Sequence, residues 1–232
     1  MSENEQIVTI EDSEKLSFRL WKLGNILKPI DDENVNYFFF EVIRELIDAA
    51  LTNYGHLKRA YLESKSSTGI YPYLAWASRN LLELSIFTKY VLTSASNSRR
   101  FGEDRLVDGC EIIKSLIDLE HFYDPQCKTD LLDEALSRME AQMVVEGVKA
   151  KKHIDIKQIV EAVEMKEEYK CMNRFCSKLV HPSAWSVLAM NKGTNSFAQS
   201  RDILFGTGVG YLSEIYLAVE SHNDRQQMRP NP

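Results

Sequence analysis

The chain is poor in the two residues that interrupt helices, with six prolines and ten glycines among 232 residues. So few breakers exclude a fold assembled from many short strands and tight turns. Paired cysteines are missing as well. Cys110, Cys127, Cys171 and Cys176 form no Cys-x-x-Cys pair, and a chain this long folds on its own core rather than on a disulfide scaffold, so reduced thiols are expected. No apolar run reaches the ~18 residues of a membrane span. The polar, acidic opening "MSENEQIVTIEDSEK" lacks the basic-then-apolar order of a secretory leader. These absences predict a cytoplasmic protein with no membrane attachment. There is no basic excess either. The formal net charge is −6, which argues against general affinity for duplex DNA, where positive charge must neutralise phosphates. A local basic site stays open.

What is present is helical periodicity along nearly the whole chain. Leu16, Leu20, Leu23 and Leu27 form one stripe, with Ser13 as the expected N-cap and Pro29 as a stop. A long helix is expected from about residue 35 to 64, its stripe running through Phe39, Val42, Ile43, Leu46, Ala50, Tyr54, Leu57 and Tyr61. The segment "IYPYLAWASRNLLELSIFTKYVLTS" is apolar on almost every side, the signature of a helix surrounded by others. Further helices are read from near Ser98, over "KTDLLDEALSRMEAQMVVEG", over "IKQIVEAVEM" and "EEYKCMNRFCSKLV", over a short "AWSVLAM", and from about Phe197 to Val219. The stretch "GVKAKKHID" reads as an exposed basic loop. No alternating strand pattern and no fixed-period repeat appears. The expected organisation is a single all-α helical-bundle domain over residues 13–222, between a flexible N-terminus (1–12) and a disordered tail (223–232).

Chemistry concentrates in "MNRFCSKLVHPSAW", residues 172–185. Arg174, Ser177 and His181 fall at i, i+3 and i+7, one stripe of a helix. Pro182 disfavours helical backbone at His181, so the helix should end there, where its dipole favours a positive charge. A histidine shuttles protons near neutrality and a guanidinium grips a phosphate with two parallel hydrogen bonds. Together they suffice for metal-free RNA cleavage. The plainer reading of the same spacing is a helix-end histidine and a surface arginine. Arg79 and Glu83, at i and i+4 with Asn80 beside them, lie on the most apolar helix. Charges there must be paired or face a cavity: a structural ion pair on one reading, part of a polar pocket beside the His181 helix on the other.

Arg-x6-His at the end of a late helix in an all-α chain resembles the HEPN superfamily. The string "RFCSKLVHPS" together with "RNLLEL", Arg79 to Leu84, is similar to an uncharacterised bacterial HEPN-like group. The resemblance covers roughly residues 35–220. It implies a helical bundle, usually a homodimer, and in many members a metal-independent ribonuclease of toxin–antitoxin or antiphage systems. By position it implies Arg174 and His181 as the catalytic pair; Arg79, Glu83, Asn80, Asn173 and Ser177 are the residues expected to support the pocket. It also implies RNA as substrate and an antitoxin or defence-system protein as partner. Active members usually carry a polar residue after the arginine; here Phe175 follows it and Asn173 precedes it. The superfamily also contains non-catalytic modules, so a helical module binding RNA, a nucleotide or a partner protein is the alternative.

The remaining signals suggest little chemistry. "GTGVG", residues 206–210, mimics a phosphate loop without the preceding strand. It reads as small residues at a close helix contact, or as a break in the last helix. Cys176 with His181, or His121 with Cys127, lacks a partner pair at zinc spacing, and no convergence of histidine and carboxylates is legible. No metal and no cofactor are expected. Cys171 and Cys176 read as small core residues, and "YFFF", Tyr37 to Phe40, as a core plug or part of a homodimer surface.

Overall fold

The computed structural model describes residues 9–27, 36–149, 152–181 and 195–227. Among them are eight α-helices, one short 3₁₀ turn and no strand. The chain is a single all-α domain. The helices are α1 (Ile10–Ile26), α2 (Asn36–Glu63), α3 (Tyr71–Thr93), α4 (Ala95–Tyr123), α5 (Asp130–Val145), α6 (Ile156–Ala162), α7 (Lys166–Val180) and α8 (Asn195–Gln227). The short "AWSVLAM" helix and Pro29 lie outside the described residues.

α3 is the axis of the bundle, as its all-round apolar sequence predicts. Leu74, Ala75, Ala77, Leu81, Leu82, Ile86 and Val91 are all fully buried. α2, α7 and α8 pack around it, with α4 and α6 completing the ring. α2 supplies the expected stripe, burying Phe39, Ile43, Leu46, Ala50, Tyr54 and Leu57, while Val42 and Tyr61 are half-buried. From "YFFF", Phe39 enters the core and packs edge-on against Phe40, with His222 on its other side. The side chains of Tyr37 and Phe38 lie outside the described residues.

Several boundaries differ from the expectation, each for a local reason. Thr9, not Ser13, caps α1: its hydroxyl accepts from the Asp12 amide at 3.1 Å. Ser13 is instead fully buried one turn in, where its hydroxyl meets Tyr54 Oη at 2.8 Å and ties α1 to α2. α4 begins at Ala95 because Ser94 accepts from the Asn97 amide. α8 is unbroken and runs to Gln227, so residues 223–227 are helical rather than part of a loose tail. Gly208 explains the glycine cluster within it. A Cβ there would lie 2.7 Å from Leu57 Cδ2, so the bare backbone lets α8 close on α2. The loop after α5 is anchored to α4 rather than free-standing. Arg100 Nη2 donates to the Lys152 carbonyl at 2.6 Å, and the Ile154 amide donates to Asp104 at 2.7 Å.

Candidate functional site

α7 has two chemically different faces, and the tertiary structure decides which one meets the core. Cys176 is fully buried and Leu179 nearly so, with Tyr169, Met172, Phe175 and Val180 packed around them. Arg174 lies about 200° round the helix from Cys176, at ~100° per residue, and is exposed, as is His181. α7 ends at His181 with extended backbone (φ −88°, ψ 144°), the conformation favoured before proline. The His181 amide still donates to the Ser177 carbonyl at 3.1 Å, closing the last turn. Ser177 sits half-buried at the edge of this outer face. Arg174, Ser177 and His181 therefore share one side of α7, as the seven-residue spacing predicts. A guanidinium and an imidazole are presented to solvent there, within reach of a polyanion. Cys171 is exposed on this outer side, contrary to its expected place in the core.

Arg79 and Glu83 meet the opposite side of the same helix. Arg79 Nε donates to Glu83 at 3.0 Å, and both side chains keep roughly a quarter of their surface in water. The pair is neither a surface bridge nor a fully desolvated one, so it tolerates loss of a partner better than a dry interior pair does. The electrostatics place it against α7. Burial pushes the Cys176 thiol up to about 11, opposed by Arg79 and reinforced by Glu83. The Tyr169 phenol is raised by burial, with Glu83 adding and Arg79 opposing. Nearby, the buried Tyr211 hydroxyl of α8 is raised by burial and then by the Glu168 carboxylate. Asn173 is half-buried on α7, its Oδ1 buried and unpartnered. Asn80 turns elsewhere, donating to Asn53 of α2 at 3.0 Å.

The expected residues thus separate into two groups. Arg79 and Glu83 meet the inner side of α7, and Asn173 is half-buried on α7 itself. Arg174 and His181 occupy the outer face. Asn80 serves the α2–α3 contact.

No protein-family model, curated protein or solved structure matches this chain.

One cluster escaped the sequence entirely. Asp108 and Glu111 of α4 and His153 of the loop between α5 and α6 bring their ligand atoms within 4.8 Å of one another, all three exposed. The expectation that histidine and carboxylates do not converge is therefore corrected. His153 lies more than forty residues along the chain from its neighbours, and only the anchoring of its loop to Arg100 and Asp104 delivers it. Partial desolvation raises the Asp108 carboxyl, Asp104 and Glu111 add to that, and His153 and Arg100 oppose it. Exposed carboxylates at such spacing are common without an ion, so the geometry alone assigns no metal. A separate cavity of about 760 Å³ opens between the start of α4 and the end of α5, lined by Phe39, Ser98, Arg99, Glu103, Arg105 and Glu146. Its arginines already face carboxylates, Arg99 with Glu103 at 3.1 Å and Arg105 with Glu146 at 3.3 Å. Among the described residues no helix is long and apolar enough to cross a membrane.

Proposed function

We propose that the protein is a metal-independent endoribonuclease of HEPN type, acting in the cytoplasm as a homodimeric toxin or antiphage effector. Arg174 and His181 are its catalytic pair. The observation that supports this reading is the joint exposure of the two side chains on one face of α7, with His181 at the helix end. His181 carries a proton to or from the 2′-hydroxyl or the leaving oxygen, and Arg174 holds the phosphate and stabilises its developing charge. The Arg79–Glu83 pair acts from behind, fixing how α7 lies on α3, and does not touch the substrate.

The test is cleavage of RNA by the purified protein in EDTA. Attack by the 2′-hydroxyl leaves a 2′,3′-cyclic phosphate, so DNA is untouched. His181→Ala should lower the rate roughly 10²–10⁴-fold, the usual share of general acid–base catalysis. Arg174→Lys should also be damaging, since an ammonium cannot reproduce the two-pronged grip. Both side chains are exposed, so the thermal melt should be unchanged. RNA left intact by the parent protein, or cut equally by His181→Ala, rejects the proposal. Cleavage that EDTA abolishes, and that His153→Ala loses while His181→Ala keeps, would transfer the chemistry to the Asp108–Glu111–His153 cluster.

A non-catalytic interaction module is the second reading, and an exposed apolar seam on α4 favours it.

A further inference from the structure

The second half of α4 leaves the body of the molecule. Its buried residues end at Cys110, and α5, which has no buried residue, packs on α4. From Glu111 to Tyr123 the helix projects about 20 Å at 1.5 Å per residue. Gly109 allows the pair to close tightly, for a Cβ there would collide with Met139 of α5.

This segment carries two apolar seams. The first contains Cys110, Ile113 and Ile117 and belongs to α5: Cys110 Sγ lies 3.7 Å from Met143 Sδ, and both isoleucines are half-buried. The second consists of Ile112, Leu116, Leu119 and Tyr123, spaced four, three and four residues apart. They are 61, 43, 50 and 77% exposed. That spacing is the knob pattern of helix-on-helix packing. At ~100° per residue the second seam lies about 120° round the helix from the first. A helix with two such seams is built for two neighbours, as in a three- or four-helix bundle. α5 is one of them.

Charge selects the other. At the same ~100° per residue, Glu120 borders the open seam and Glu111 and Asp118 lie further round the exposed surface of the helix, while Lys114 is engaged with Glu140 of α5 at 3.4 Å. Residues 111–146 hold nine carboxylates and three basic side chains, a difference of −6 that equals the formal net charge of the entire chain. The acidity of this protein therefore resides in its projecting hairpin. A second copy of the hairpin would set one acidic surface against another, which complementary interfaces avoid.

We propose that the open seam of α4 docks a basic amphipathic helix of a partner protein. Leucine-like residues of that helix enter the seam at four- and three-residue spacing, and its lysines or arginines meet the carboxylates of the acidic hairpin. This goes beyond RNA cleavage and uses none of the α7 residues.

The probe is a fluorescein-labelled synthetic helix of about three heptads, leucine at the seam positions and lysine on the flanks, titrated with the full chain and followed by anisotropy. Two controls accompany it: the same helix with glutamate flanks, and a scrambled lysine peptide of identical composition. The lysine-flanked helix should bind at least about tenfold more tightly than either control, and added salt should weaken it as the hairpin's carboxylates are screened. Leu116→Ser with Leu119→Ser leaves the charge untouched and removes the seam, so it should reduce binding to the level of the scrambled peptide. Circular dichroism checks that this variant stays folded, and its RNA cleavage should match the parent's. Equal binding of the scrambled peptide would reduce the effect to bulk charge attraction and overturn the proposal. So would sedimentation equilibrium showing a dimer that Leu116→Ser with Leu119→Ser dissociates, because a second copy would then occupy the seam.

Discussion

Burial divides the four cysteines into two kinds. Cys110 and Cys176 are buried, Cys171 is exposed, and Cys127 lies between. Alkylation of the native protein at mildly alkaline pH should label Cys171 readily and leave Cys110 and Cys176 unmodified until the protein is unfolded, which peptide mass mapping checks. The Cys176 thiol, raised from 9.0 to about 11 by burial, also makes stability depend on pH. The folded state holds this proton more tightly than the unfolded chain does. Its contribution is therefore complete below about pH 9 and lost as the pH rises through about 11. Buried phenols such as Tyr54 and Tyr211 are raised in the same direction, from 10.0, and extend the loss upwards. Urea midpoints should be flat to about pH 9 and fall above it, and Cys176→Ala should shallow the first part of that fall. A midpoint that rises between pH 9 and 11 would contradict the burial of these groups.

The three glycines of α8 separate close contact from mere flexibility. Gly206 and Gly210 have open space where a Cβ would go, whereas Gly208 faces the fully buried Leu57. Alanine at 206 or 210 should stabilise the helix by up to about 1 kcal/mol through its better propensity. Alanine at 208 should destabilise by about 1–3 kcal/mol, because Leu57 must leave a packed position. Urea unfolding of the three variants reads the difference directly. Equal effects at all three positions would mean that α2 and α8 do not close on Gly208. The same comparison disposes of the phosphate-loop resemblance, since these glycines lie inside a continuous helix.

Core and hairpin are two tiers of stability within one molecule. α3 is enclosed by α2, α7 and α8, while among the described residues α5 packs chiefly on α4, and neither α5 nor α4 beyond Cys110 has a buried residue. Segments with few buried apolar contacts open at lower free energy than the global transition. Native-state hydrogen exchange should therefore find the slowest amides in α3 and α8. The amides of α5 and of residues 111–123 should exchange by a local opening that little denaturant affects. If the hairpin exchanges only with the global unfolding of the core, its packing is stronger than its exposure indicates. Occupation of the open seam by a partner helix should slow the hairpin's exchange selectively.

Local periodicity is what the sequence by itself determined. It placed the helices, put the all-round apolar segment at the centre, and set Arg174 and His181 on one face, because 3.6 residues per turn depend on neighbours alone. It also showed that Arg79 and Glu83 could pair. Periodicity says which residues share a face, not what that face meets. Only the tertiary structure turned Arg174 and His181 outward and Cys176 inward, put Arg79 and Glu83 behind α7, and gave Asn80 to α2. Ser13 looked like a cap because its type suits one, and packing against Tyr54 claimed it for the core instead. His153 reached Asp108 and Glu111 because Arg100 and Asp104 pin its loop to α4, a long-range contact with no local signal. The two seams of α4 show the limit most plainly. Both repeat at helical spacing and both are apolar, yet one is covered by α5 and the other faces solvent, since burial is a property of what lies alongside a helix rather than of the helix itself.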